Sequence, residues 1–152
     1  MSAVAQRLAE LGLELPEVAK PLAAYVPALR TGSYVYTSGQ LPFVKGELPA
    51  TGKVGAEVTP ERAAELAAAC ALNAVAALAS QVSLDDVVRI VKVVGYVASA
   101  PDFTGQPAVV NGASELLGKL FGEAGRHARS AVGVAVLPLD APVELELVAE
   151  VR

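Results

Sequence analysis

The run DDVVRIVKVVGYVA, residues 85 to 98, constrains the fold more than any other stretch. It is nearly continuous valine and isoleucine, which suits a central strand covered on both faces. A long helix precedes it. Thr59-Pro60 joins a hydroxyl cap to a proline at the first helical position, where a missing N–H costs nothing. Ala63, Leu66, Ala67, Cys70, Ala74 and Leu78 then recur at three- and four-residue steps, predicting a helix to about Ser80 with one apolar face of small side chains. Helix followed by buried strand predicts a crossover connection and a parallel pair.

The other elements arrange themselves around that core. Val4, Leu8 and Leu11 mark a short amphipathic helix over 3 to 12 that stops at Gly12 and could lie across the sheet. Leu22 to Leu29 reads as an edge strand, where nearby prolines are tolerated, and 33 to 38 as a second strand. Residues 42 to 60 are turn-rich, with Gly46, Gly52 and Gly55, and should form a long surface connection. A second helix is expected over 109 to 122, after the loop PDFTGQ. SAVGVAVLP is a strand, LDAP a turn, and VELELVAEV a last strand alternating apolar and acidic residues. A strand pair, helix, strand, helix and strand pair make a two-layer α+β domain, a mixed sheet with its main helices on one face. Nothing divides residues 1 to 152 into two domains.

Charge and composition narrow the function. Only 18% of residues are charged against 53% hydrophobic, so part of the surface is expected to meet another subunit. The net charge is −4 and basic residues do not cluster, which removes the electrostatic footprint of nucleic-acid binding. No stretch of about eighteen residues is free of both charge and turn formers, so neither export nor membrane insertion is indicated, and a cytoplasmic location is expected. The lone Cys70 sits among alanines on the inner helix face and reads as core packing.

Familiar chemical signatures are missing. With one histidine, His127, and one cysteine, a single chain cannot assemble a His/Cys metal site. The sequence has no phosphate-binding GxxxxGK[ST], no GxGxxG after a strand, and no GxSxG elbow around its TSGQ serine. A Ser-His-Asp triad could use only His127, and no local signature supports one. Tryptophan is absent, so a base-stacking platform is not expected.

What remains is a small set of polar residues at strand ends and loops: Tyr25, Ser38, Asn111, Arg129 and Glu144. Period two puts Arg129 on one strand face with Ala131, Gly133 and Ala135, leaving room beside a guanidinium fork shaped to hold a carboxylate. The plain alternative is a rim arginine paired with an acid such as Glu150. Glu144 shares a face with Glu146 and Glu150, which an ordinary exposed face also explains. If the last two strands form a hairpin around LDAP, Glu144 falls roughly 20 Å from Arg129 along the strand. One site can then hold both only if the strands are not so paired, or if two subunits contribute.

Taken together, YTSGQLP (36–42), ALNAVAAL (71–78), Val110-Asn111, ARSAVGVAVLP (128–138) and VELELVA (143–149) resemble the RidA/YjgF family of reactive enamine/imine deaminases, in order and nearly at that family's spacing. The resemblance implies a chorismate-mutase-like fold and a homotrimer with clefts between subunits. It also implies hydrolysis of small 2-aminoacrylate-like carboxylates to 2-keto acids and ammonia, with no metal or cofactor. By position, Arg129 matches the arginine that holds the substrate carboxylate and Glu144 the acid associated with the hydrolytic water. Tyr25, Ser38, Gly39 and Asn111 match pocket residues. Ala131 stands where many members have cysteine, a place where the backbone N–H is the expected contact. His127 replaces a proline, residues 101 to 125 are longer and richer in glycine than is common, and against the family's pattern residues 1 to 20, with the helix of 3 to 12, read as an N-terminal extension of a single domain. Two other functions remain in view: a non-catalytic binder of small carboxylates, and the endoribonuclease activity from which relatives take an older name.

Overall fold

A computed structural model of the chain describes residues 2–20 and 24–152. Five strands, β1 (Ala28–Thr31), β2 (Tyr34–Thr37), β3 (Val87–Ala98), β4 (Ala128–Val134) and β5 (Val143–Val151), form one mixed sheet in the order β1-β2-β5-β3-β4. β3 and β4 run parallel and the other neighbours antiparallel. Helices α2 (Pro60–Ala79) and α3 (Gln106–Phe121) pack on one face. The fold is therefore the expected two-layer α+β arrangement.

α2 begins as its sequence dictates, with the Thr59 hydroxyl accepting from the Arg62 N–H and Pro60 at the first turn. Its length and apolarity match those of a membrane span, but most of it is buried inside the fold, with Ala63, Leu66, Cys70 and Leu78 in the core. α3 crosses it closely: a Cβ on Gly112 would lie 2.0 Å from the Ala64 carbonyl oxygen, so only glycine fits there. α3 also starts earlier than periodicity suggests, because Pro107 opens its first turn and the Gln106 side chain donates back to the Phe103 carbonyl at 2.8 Å.

Four expectations change. α1 is Ala3–Glu10, and it docks on α3 rather than across the sheet, with Arg7 donating to the Leu120 carbonyl at 2.9 Å beside the C-terminal end of that helix. The first edge strand is only Ala28–Thr31; residues 22 and 23 of the predicted span lie outside the described residues. β3 alternates between fully buried Ile90, Val93 and Val97 on the helix side and half-buried Lys92, Val94 and Tyr96 on the other, so within the chain it is covered on one face.

Most consequentially, β4 and β5 are not a hairpin. β4 ends at Val134, and the chain crosses the end of β3 through Leu139 and Asp140, both at positive φ, before β5 inserts between β2 and β3. The Pro142 carbonyl accepts from the Ala98 N–H on the way.

Candidate functional site

The candidate residues fall into two groups, separated by the sheet itself. Arg129 is in register with Val93, which is fully buried under the helices, so its side chain rises on the helix side. Leu145 is likewise buried on that side, so Glu144 points out of the opposite, uncovered face. Glu144, Tyr96 and Val132 lie in one row across three strands, and Arg129 is three residues further along β4. At about 3.3 Å per residue and 4.8 Å per strand, their Cα atoms are about 14 Å apart, and on opposite faces. The hairpin geometry is gone, yet one protomer still cannot bring both side chains to one small ligand.

The first group surrounds Glu144. From Tyr36↔Val148 to the bridge Gln40↔Leu145, the β2 side advances four residues while β5 retreats three, so Ser38-Gly39 carries a one-residue bulge. The bulge is tied down: the Ser38 hydroxyl donates to the Val26 carbonyl at 2.5 Å and its N–H to Pro27 at 2.8 Å, which holds the segment bearing Tyr25. Gly39 then lies against the acid. A Cβ there would sit 2.6 Å from Glu144 Oε1. Tyr25, Gly39, Gln40, Phe43 and Glu144 line a small cavity of about 90 Å³. Half-burial, and secondarily the charge of Glu146, push the Glu144 carboxyl above the usual carboxylate range. Beside it the Tyr96 hydroxyl donates to Glu146, and that bond is the main reason its phenol is pushed up to about 12. Cys70 lies beneath β5; burial and then the Glu144 charge raise its thiol.

The second group surrounds Arg129. Its Nη1 donates to Asn111 Oδ1 at 2.8 Å and to Ser114 Oγ at 3.2 Å, and its Nη2 to the Pro107 carbonyl at 3.3 Å. Three of five N–H groups are thereby committed, and among the described residues Nε–H and one Nη2–H are left for a ligand. The pairing with Glu150 does not form, since Glu150 lies on β5 opposite Tyr34 and Arg89. β4 is a sheet edge. The Val134 carbonyl accepts from Ser99, so alternation turns the backbone groups of Arg129, Ala131 and Gly133 outward. The Ala131 N–H thus stands at the open rim beside the guanidinium, an arrangement suited to an anion with two oxygens.

Sequence reasoning missed Ser114 and undervalued His127. The two are 2.9 Å apart, and with Arg129 they border a cavity of about 320 Å³ at the start of β4. Ser114 was legible as the i+3 neighbour of Asn111 on one helix face. Its meeting with His127 depends on how the short 3-10 turn Gly122–Gly125 returns the chain, which no local pattern announces.

Residues 5–151 match the sequence model of the family described as "YjgF/chorismate_mutase-like, putative endoribonuclease". Protein TCP17 of Trypanosoma cruzi is 43% identical over 98% of this chain and 94% of its own. Among solved structures, protein Atu1372 of Agrobacterium tumefaciens superposes with a TM-score of 0.92 at 41% identity, covering 99% of this chain and 93% of that one. Escherichia coli TdcF with bound serine superposes at 0.63 and 27% identity, over 90% and 94%. With most of the chain matched, a mixed sheet backed by helices on one face, and the Ser-Gly, Ala-Arg-Ser and Val-Glu-Leu-Glu segments at strand ends, the protein belongs to the RidA/YjgF family.

Proposed function

We propose that the protein hydrolyses small reactive enamine/imine carboxylates of the 2-aminoacrylate type to 2-keto acids and ammonia, at clefts between the subunits of a homotrimer in the cytoplasm. The observation that carries this proposal is the division of the site residues. Arg129, Asn111 and the Ala131 N–H look out from the β4 edge and the helix side, while Glu144, Gly39 and Tyr25 line a cavity on the uncovered sheet face, with Ser38 bracing the turn beside them. Each half is incomplete alone, and a neighbouring protomer supplies the other.

Arg129 and the Ala131 N–H hold the substrate carboxylate, which places the adjacent C2 over the partner's acid. Once 2-aminoacrylate has taken a proton on C3, C2 is an iminium carbon. Water adds its oxygen to C2, the C=N π pair moves to nitrogen, and Glu144 takes the water proton. Returned to nitrogen, that proton lets the C–N bond break: ammonia leaves, the hydroxyl loses its proton and the C=O forms. A carboxyl already raised by burial suits both halves of this transfer. The iminium is electrophilic by itself, so no metal or cofactor enters the scheme.

A non-catalytic carboxylate binder is the second possibility, favoured by the serine bound to TdcF, a carboxylate that is not an imine. Ribonuclease action fits poorly with a net charge of −4. Mixed trimers separate these. Arg129→Ala and Glu144→Gln are each expected to cut ammonia release from freshly generated 2-aminoacrylate by about 100-fold or more, leaving a measurable residual rate. Refolded together in equal amounts, they regenerate one intact Arg129/Glu144 cleft in each mixed trimer, about a quarter of wild-type activity overall. No recovery in trimers shown to be mixed overturns the shared cleft; a wild type that binds pyruvate without accelerating imine hydrolysis leaves only the binder.

A further inference from the structure

His127 is joined to Arg129 by a directed chain of hydrogen bonds. Its Nδ1 lies 2.6 Å from the Gly125 carbonyl oxygen, which can only accept, so Nδ1 carries a proton. In the neutral ring Nε2 is then an acceptor, 2.9 Å from Ser114 Oγ. Ser114 Oγ is in turn 3.2 Å from Arg129 Nη1, which can only donate. Ser114 has one proton to give, and only His127 can take it along this chain; its lone pair is thereby turned to the guanidinium. The far end is rigid as well. A Cβ on Gly125 would lie 2.4 Å from the Leu117 carbonyl oxygen, so that glycine sits tight against α3 and its carbonyl is a fixed anchor for the ring.

We propose that His127 is a positioning residue, acting through Ser114 to hold the Arg129 guanidinium in the orientation that receives the substrate carboxylate; this rests on the assignment of Arg129 as the carboxylate anchor. Asn111 Oδ1 and the Pro107 carbonyl hold the other sides of the guanidinium; the carbonyl is backbone of α3, and the amide oxygen carries no proton that could face Arg129. Ser114 differs because a hydroxyl rotates. Without an acceptor at the Nε2 position its proton is free to swing toward Arg129, where it opposes a group that only donates. The loss falls on carboxylate binding, since neither residue reaches the reacting carbon. The chain touches no part of the Glu144 group, so the chemical step at saturation should be indifferent to it.

The test compares His127→Leu, His127→Gln and Ser114→Ala with the wild type and Arg129→Ala, measuring KM and kcat for 2-aminoacrylate and the Kd of pyruvate by calorimetry. His127→Leu and Ser114→Ala are expected to raise KM and the pyruvate Kd about three- to tenfold, with kcat within about twofold, the scale of one weakened bond to a charged group. His127→Gln is expected to recover most of the affinity, because its Oε1 can take the Ser114 proton near the Nε2 position. If His127→Leu does not fold, Ser114→Ala carries the comparison alone. Unchanged affinity in the folded variants overturns the proposal, and so does a glutamine variant no better than leucine, or a parallel fall in kcat. If Arg129→Ala loses affinity while these variants do not, this inference alone fails; if Arg129→Ala binds pyruvate as the wild type does, the anchor assignment fails and this falls with it.

Discussion

Gly39→Ala tests whether the bulge exists to give Glu144 its place. A Cβ added at 39 would meet Glu144 Oε1 at 2.6 Å, Cδ at 3.0 Å and Cγ at 3.3 Å. Ordinary carbon–oxygen contact begins near 3.3 Å, so the carboxyl oxygen has to retreat by about 0.7 Å, and by more if the side chain changes rotamer. The backbone tolerates the methyl group, because Gly39 is not among the residues at positive φ. The collision is with the movable end of a side chain, so thermal stability should change little. Catalysis should not be spared: misplacing a reacting group by about 1 Å costs about 100-fold in rate, or about 2.7 kcal/mol. Steady-state ammonia release from 2-aminoacrylate gives kcat, and calorimetry gives the pyruvate Kd, which should hold within about twofold because the proposed carboxylate anchor, Arg129, enters the proposed cleft from another protomer. Glu144→Gln and the double variant close a cycle. If alanine acts only by moving the acid, it adds nothing in the Glu144→Gln background. The reasoning fails if Gly39→Ala keeps its kcat, or if it lowers activity as much without Glu144 as with it.

The raised Glu144 carboxyl holds its proton more tightly folded than unfolded, so its contribution to stability is fully present below the unfolded pKa and is lost as pH rises through the folded one. Glu144→Gln should therefore raise Tm at pH 8, with the gain disappearing in melts toward pH 4. In its proposed role as base the same carboxyl must be ionised, so the acidic limb of the kcat/KM profile should lie above an ordinary glutamate's, and the residual activity of Glu144→Gln should lack that limb. Gly112→Ala should cost about 3 kcal/mol or more in urea unfolding, because the new Cβ would meet the Ala64 carbonyl oxygen at 2.0 Å and force α2 and α3 apart; a loss under about 1 kcal/mol contradicts that contact. Cys70, fully buried with its thiol raised by burial, should resist a thiol reagent in the native protein and react at once in denaturant; rapid native labelling contradicts the packing.

Local chemistry was legible where one element decides it. Thr59-Pro60 starts α2 because capping is settled within four residues, and VELELVAEV alternates as β5 does because one face is buried and the other is not. Arg129 had room because its strand neighbours Ala131 and Gly133 are small. Where such readings fell short, the deciding partner lay elsewhere in the chain. LDAP looks like a hairpin turn by length, yet its neighbours in space are the end of β3 and Gly52, whose N–H donates to the Asp140 carbonyl, and the chain is led over β3 rather than back along β4. Periodicity within β4 says which side chains share a face and nothing about which strand lies beside it.

That limit bears directly on the site. Seen along the sequence, fifteen residues separate Arg129 from Glu144, and a hairpin made them distant on neighbouring strands. With β3 between them the separation shrinks to about 14 Å, yet the parity of the two strands puts the side chains on opposite faces, an obstacle that no change of rotamer removes. Each residue is nonetheless well kept: Arg129 by three acceptors from α3, Glu144 by a glycine with no Cβ to displace it. Two carefully held groups facing away from each other make poor sense in one chain and good sense in a closed ring, where every subunit offers its helix-side edge to one neighbour and its open sheet face to the other.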